Sequence, residues 1–173
     1  MIRYPKRHTL IVGVSLFVLS FLITALPCLA QQKEKLYDPG ADASAELDAA
    51  IARAGREGKH VLVQVGGNWC SWCVKLDGLM KRDARIDSIL NADYLFLRVN
   101  YSKENRNTAV LERLAWPQRF GFPVLVVLDG KGARLHTQDS GLLEKDGGHD
   151  PEMVARFLRL WASNALSADQ YRE

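Results

Sequence analysis

Two cysteines separated by two residues, Cys70 and Cys73 in the run Gly66-Gly67-Asn68-Trp69-Cys70-Ser71-Trp72-Cys73, are the side chains in this sequence best suited to chemistry. A thiol pair at this spacing can close into a disulfide and open again, or can offer two ligands to a metal. As a staple it holds nothing distant together, because the loop it closes is too short for a large effect on chain entropy. As half of a zinc site it lacks the other half. The one further cysteine is Cys28, and His60, His136 and His149 are scattered without paired spacing. Redox exchange is the favoured reading, with zinc and a purely structural disulfide as the alternatives.

The flanking residues say how such a pair would be presented. Val61 to Val65 is an apolar, β-rich run that reads as a strand buried on both faces. Gly66, Gly67 and Asn68 make a turn, and a helix is expected from the cysteine pair to about Met80, with Leu76, Leu79 and Met80 facing inward. Cys70 then lies at a helix N-terminus, where free backbone N–H groups and the helix dipole favour a thiolate. The thiolate is the nucleophile of disulfide exchange. Cys73, one helical turn on, is placed to resolve a mixed disulfide formed at Cys70. Trp69 and Trp72 read as an apolar rim for an unfolded substrate segment, or as helix–sheet packing. Asn68 reads as an ordinary turn residue that could cap the helix or meet substrate.

The remaining pattern supplies a scaffold. Asp42 is expected to cap a helix to about Arg56, ended by Gly55 and Gly58. A short helix from Asp83 to Asn91, a strand from Tyr94 to Tyr101 and a helix from Thr108 to Trp116, stopped by Pro117, follow. Val124 to Leu128 and Ala133 to Gln138 form a hairpin around Asp129-Gly130-Lys131-Gly132. The Gly-rich stretch Ser140 to Asp150 reads as a loop, and Pro151 opens a last helix bearing Val154, Phe157, Leu158 and Trp161. His136 to Ser140 reads as a solvated strand end, with the active-site face as the alternative, and Lys81 to Arg85 as a solvated face. The order α, β, α, β, α, β, β, α predicts one α/β domain, a central mixed sheet flanked by helices.

Charge and hydropathy point to export. Arg3, Lys6 and Arg7 account for all of the formal net charge of +3, so the body beyond residue 30 is neutral. A neutral body lacks the basic face that nucleic acid requires. An uncharged apolar stretch from Leu10 to Leu26, a break at Pro27, and Cys28-Leu29-Ala30 before Gln31 give residues 1–30 the pattern of a signal peptide. An uncleaved anchor is the alternative, since the stretch approaches the ~20 residues of a spanning helix. Acylation of Cys28 is disfavoured by Pro27 before it. The expected division is signal peptide 1–30, linker 31–41, domain 42–164 and tail 165–173. Cleavage would leave Cys70 and Cys73 alone.

Strand, small loop, Trp-Cys-x-x-Cys and helix, together with Gly121-Phe122-Pro123-Val124 fifty residues beyond Cys73, resemble the thioredoxin superfamily over about residues 42 to 164. More narrowly, the chain is similar to exported bacterial thioredoxin-like proteins with a WCxWC motif, and to periplasmic thiol:disulfide interchange domains. The resemblance implies a thioredoxin fold. It also implies a cis bond at Phe122–Pro123 facing the cysteines, and substrate binding by Trp69, Trp72, Phe122 and Pro123. Two positions depart from the thioredoxin pattern or tune it. Gln64 stands where thioredoxins carry a buried acid and cannot act as a base. Arg98 falls at a basic position, able to help hold a thiolate if it points inward, with a surface charge as the alternative. Ser71-Trp72 matches neither the Gly-Pro of reducing thioredoxins nor the Pro-His or Gly-His of oxidants and isomerases.

The expected function is therefore a thiol–disulfide oxidoreductase of the cell envelope, in the periplasm or secreted, leaning to reductase. Cys70 attacks and Cys73 resolves. Its partners would be protein thiols and disulfides, with an upstream redox protein as electron source. Nucleic acid is not expected, and a membrane only if residues 1–30 are retained. No cofactor beyond the Cys70–Cys73 couple and no metal are expected. The alternative is a thioredoxin-fold module that binds client chains with little redox turnover.

Overall fold

The computed structural model describes residues 35–172; the expected signal peptide and the first residues of the expected linker lie outside the described residues. Among the described residues no helix is long and apolar enough to cross a membrane.

An arm, residues 35–42, leads into helix α1 (Ala43–Glu57), whose N-terminal Ala45 N–H is capped by the Asp42 carboxylate at 3.0 Å. Gly58 closes it with φ +66°, a left-handed conformation that glycine adopts without strain. Gly55 does not end the helix. Strand β1 (His60–Gly66) is buried along its whole length. Helix α2 (Ser71–Arg82) and helix α3 (Ala84–Asp93) follow, the latter capped by Asp83, which accepts from the Arg85 and Ile86 N–H groups. Asp83 thus has a capping role that its place in a solvated run did not suggest. Strand β2 (Tyr94–Asn100) leads to helix α4 (Thr108–Arg113). This helix is shorter than expected because Ala115 and Trp116 both take positive φ. Pro117 disfavours the helical conformation for the residue before it, and opens a 3₁₀ turn over Pro117–Phe120 instead.

Strands β3 (Val124–Leu128) and β4 (Arg134–Asp139) form the expected hairpin, with the Asp129 carboxylate accepting from the Lys131 and Ala133 N–H groups at 2.8 Å each. The stretch expected as a loop is more ordered. A 3₁₀ turn (Ser140–Leu143) precedes a small antiparallel pair, β5 (Glu144–Lys145) and β6 (Gly148–His149). Asp146 and Gly147, both with positive φ, make its two-residue turn, the Asp-Gly signal of a tight hairpin. Helix α5 (Pro151–Leu160) starts at Pro151 and is capped by Asp150. The expected tail holds two short 3₁₀ turns, Asn164–Leu166 and Ala168–Tyr171.

The sheet order is β2-β1-β3-β4, with β2 parallel to β1 and the other neighbours antiparallel. Alternate residues of β1 and β3 feed opposite layers. Val61, Val63, Val65, Val124 and Val126 pack against α1 and α4. Leu62, Leu125 and Val127 pack against α2, α3 and α5. This is the thioredoxin fold with a mixed central sheet covered on both faces. Val65 pairs with Val124, so the chain leaving β1 and the chain entering β3 emerge at the same end of the sheet. That end carries both sequence motifs.

Candidate active site

Cys70 is the N-cap of α2. Its sulfur accepts from the Cys73 N–H at 3.1 Å, and its own N–H is held by the Gly67 carbonyl at 3.0 Å. No acidic residue lies in the first turn of α2, so the helix dipole acts on the sulfur undiminished. Cys70 and Cys73 are joined in a disulfide with Cα atoms 5.2 Å apart. The two sulfurs are not equivalent. Cys70 retains 5% exposure and Cys73 none, so an incoming thiolate reaches the bond from the Cys70 side.

The second motif meets the first as expected. The Phe122–Pro123 bond is cis, and the Phe122 ring stacks on Tyr101 (centroids 4.9 Å apart) and takes the edge of Trp69 at 5.3 Å. Trp69 is held by an indole N–H bond to the Tyr101 carbonyl at 2.7 Å, yet is 58% exposed. It therefore packs against Phe122 and offers the rest of its ring as a fixed aromatic surface beside Cys70. Among the described residues, Phe122 makes no backbone hydrogen bond, which leaves its N–H and carbonyl available to an extended chain. Behind it the Ser140 hydroxyl donates to the Pro123 carbonyl. Of the stretch 136–140 only Ser140 reaches this site; His136 stacks on Trp161 with centroids 4.4 Å apart.

Trp72 is half-buried. It meets the His149 ring edge-on at 5.4 Å, and the Lys75 ammonium lies 4.2 Å from its ring centre while donating to the Gly147 carbonyl. The β5–β6 hairpin thereby braces one wall of the site. His149 is buried with both ring nitrogens unpartnered among the described residues. Burial first, and the Lys75 charge second, hold its imidazole below the usual histidine range. The fold thus favours the neutral ring. The associated stability is complete above the ordinary value of about 6.5 and declines as pH falls through it. His149→Phe is expected to flatten the fall in melting temperature between about pH 7 and pH 5. Equal slopes for both proteins would show that His149 plays no part in acid sensitivity.

Beneath Cys73 the structure places three residues singled out in the sequence. Arg98 is not a surface charge. It lies beside Gln64 in the parallel register and is ion-paired to the buried Asp77 of α2, with its guanidinium over the Phe96 ring at 4.5 Å. Asp77 also takes Lys81 at 3.0 Å, so the Arg98 charge is directed at a carboxylate rather than at sulfur. Gln64 is fully buried and donates from Nε2 to the Tyr37 hydroxyl at 2.7 Å. Asn68 neither caps α2 nor faces outward alone. Its side chain clamps the arm by accepting from the Tyr37 N–H at 3.0 Å and donating to the Tyr37 carbonyl at 2.7 Å.

Tyr37 is the residue the sequence reading missed. It sits in the expected linker, yet is 1% exposed and packs with Cys70 and Cys73. The signal was present as an apolar pair, Leu36-Tyr37, in a polar arm. Among the described residues no three His, Cys, Asp or Glu side chains gather as a metal site.

The sequence profile of a family described as thioredoxin-like matches residues 42–130, just over half of the chain. The chain belongs to the thioredoxin-like family. The crystal structure of a disulphide isomerase from Xylella fastidiosa Temecula1 is 24% identical, with a TM-score of 0.66 over 73% of this chain and 96% of that one. A DsbH oxidoreductase is 20% identical, with a TM-score of 0.49 over 68% of this chain and 81% of that one. A thioredoxin from Thermus thermophilus is 19% identical, with a TM-score of 0.47 over 65% and 80% respectively. No curated protein matched the chain. The thioredoxin-like region so identified includes Gln64, Trp69, Trp72, Arg98, Phe122, Pro123 and both cysteines, and begins after the arm that carries Tyr37.

Proposed function

We propose that this thioredoxin-like protein is a thiol–disulfide oxidoreductase of the cell envelope that exchanges electrons with protein substrates in the reducing direction. The observation that carries the reading is the asymmetry of the pair: Cys70 reachable at a helix N-terminus, Cys73 sealed behind it. The free backbone of Phe122 and the fixed face of Trp69 suit an extended substrate segment laid beside Cys70. The reducing direction rests on the resemblance to periplasmic interchange domains, and the location on the signal-like pattern of residues 1–30. Electrons would come from an upstream thiol protein, and the Cys70–Cys73 couple is the only redox group required.

In the reduced protein, the Cys70 thiolate attacks one sulfur of a substrate disulfide and expels the other as a thiolate. Cys73 then attacks Cys70 in the mixed disulfide, closing the internal bond and releasing the second substrate thiol. Two electrons pass to the substrate and the pair is left oxidised. The test is catalysis of the reduction of a disulfide-linked protein by dithiothreitol. Acceleration at substoichiometric protein supports the reading. Unaltered kinetics together with binding of unfolded chains would replace it with the client-binding alternative.

A further inference from the structure

Tyr37 reaches the buried cysteine from outside the matched family region. A Cβ built on Gly66 would stand 2.5 Å from Cys73 Sγ and 2.6 Å from the Tyr37 hydroxyl, so phenol and sulfur border one methyl-sized space. The hydroxyl accepts from Gln64, and the arm is pinned by two bonds to Asn68. Its own hydrogen has no acceptor among the described residues. We propose that, when the Cys70–Cys73 bond opens, the Tyr37 hydroxyl donates a hydrogen bond to Cys73 Sγ and holds it as the thiolate. The inference rests on the oxidoreductase reading and names the residue that handles the buried sulfur.

The need follows from burial. An incoming thiolate bonds to Cys70 Sγ, the internal S–S bond breaks, and its electron pair leaves on Cys73 Sγ. That anion forms in a fully buried position, where an unpaired charge is costly. Gln64 directs its Nε2 donor at the Tyr37 hydroxyl and is neither an acid nor a base near neutral pH, and Arg98 is held by Asp77. The phenol is the remaining hydroxyl donor. Its proton stays on oxygen, because burial pushes the phenol above its usual range and a thiol is the stronger acid. On the return, the Cys73 thiolate attacks Cys70, the mixed disulfide breaks, and the departing sulfur takes its electron pair. The hydroxyl is then free again. The other groups facing Tyr37 are Gln64 on β1, Arg98 on β2, Asp77 on α2 and Asn68 in the turn; the charges among them, Arg98 and Asp77, are paired with each other.

Tyr37→Phe keeps the ring and deletes the donor. In the full chain, the rate at which Cys73 resolves a mixed disulfide between Cys70 and a small aromatic thiol is followed against pH. The variant is expected to move the inflection upward by about one pH unit, slowing resolution roughly tenfold below it. An unmoved profile in a variant that still resolves would overturn the proposal while leaving the oxidoreductase reading intact. Failure of the unmodified chain to form or resolve the mixed disulfide would instead sink that reading. Should Tyr37→Phe fold poorly, the ¹³Cζ resonance of Tyr37 in the unmodified reduced chain decides the matter. It is expected to shift at the pH where Cys73 ionises, and no shift there would overturn the proposal.

Discussion

Replacing Cys70 with Ser is expected to reduce disulfide turnover to the uncatalysed rate, while Cys73→Ser traps substrate as a stable mixed disulfide on Cys70. The two outcomes differ because the structure gives the cysteines different access. With Cys70 gone, the remaining sulfur of the pair has no exposure and meets no partner. With Cys73 gone, Cys70 keeps its place at the N-cap of α2 and its activation by the helix end, so the first attack proceeds. The second attack has no nucleophile. Non-reducing electrophoresis after mixing with a disulfide-linked protein separates the cases: no adduct for Cys70→Ser and a dithiothreitol-sensitive adduct for Cys73→Ser. An adduct that forms equally in both would refute the assignment of roles. Deletion of either sulfur without loss of turnover would remove the pair from the mechanism.

A single methyl group at Gly66 is expected to do more damage than most surface substitutions in this domain. The added carbon would lie 2.5 Å from Cys73 Sγ and 2.6 Å from the Tyr37 hydroxyl, closer than such contacts allow. Neither neighbour can easily retreat. The sulfur is tied to Cys70, and the phenol is held by Gln64 and by the Asn68 clamp on its backbone. Overpacking of this kind costs about 1–3 kcal/mol, which for a domain of this size lowers the melting temperature by roughly 5–15 °C. The oxidised form of Gly66→Ala is expected to suffer more than the reduced form, in which Cys73 is free to turn. Equal melting temperatures for variant and parent in the oxidised state would contradict this packing.

The parts of the fold written in local pattern were legible in advance. The run 61–65, apolar but for Gln64, became the doubly buried β1, the Asp-Gly turn at 129–132 its hairpin, and Pro151 the start of α5. The cis bond at Phe122–Pro123 and its place beside the cysteines followed from resemblance and from two motifs in a fixed order. What escaped depends on contacts distant in sequence. Tyr37 is buried because Asn68, thirty-one residues on, captures its backbone, and no periodicity in a polar arm announces that. Arg98 turns inward because Asp77 on α2 awaits it, a pairing visible only once strand and helix are packed. The β5–β6 pair reads as loop because two-residue strands carry no alternation, although its Asp146-Gly147 turn is a local hairpin signal. Helix α4 fell short because Pro117 disfavours the helical conformation at Trp116, and Ala115 and Trp116 both leave it for positive φ.

The most direct test of the central claim is an equilibrium redox titration of the Cys70–Cys73 couple in the full chain, by stepwise change of the dithiothreitol ratio with thiol labelling as readout. The expected result is a reversible two-electron transition, nearer the ~−270 mV of a reducing thioredoxin than the ~−120 mV of a strong oxidant. A pair that opens once and does not close again, or does not respond to the buffer, would contradict it.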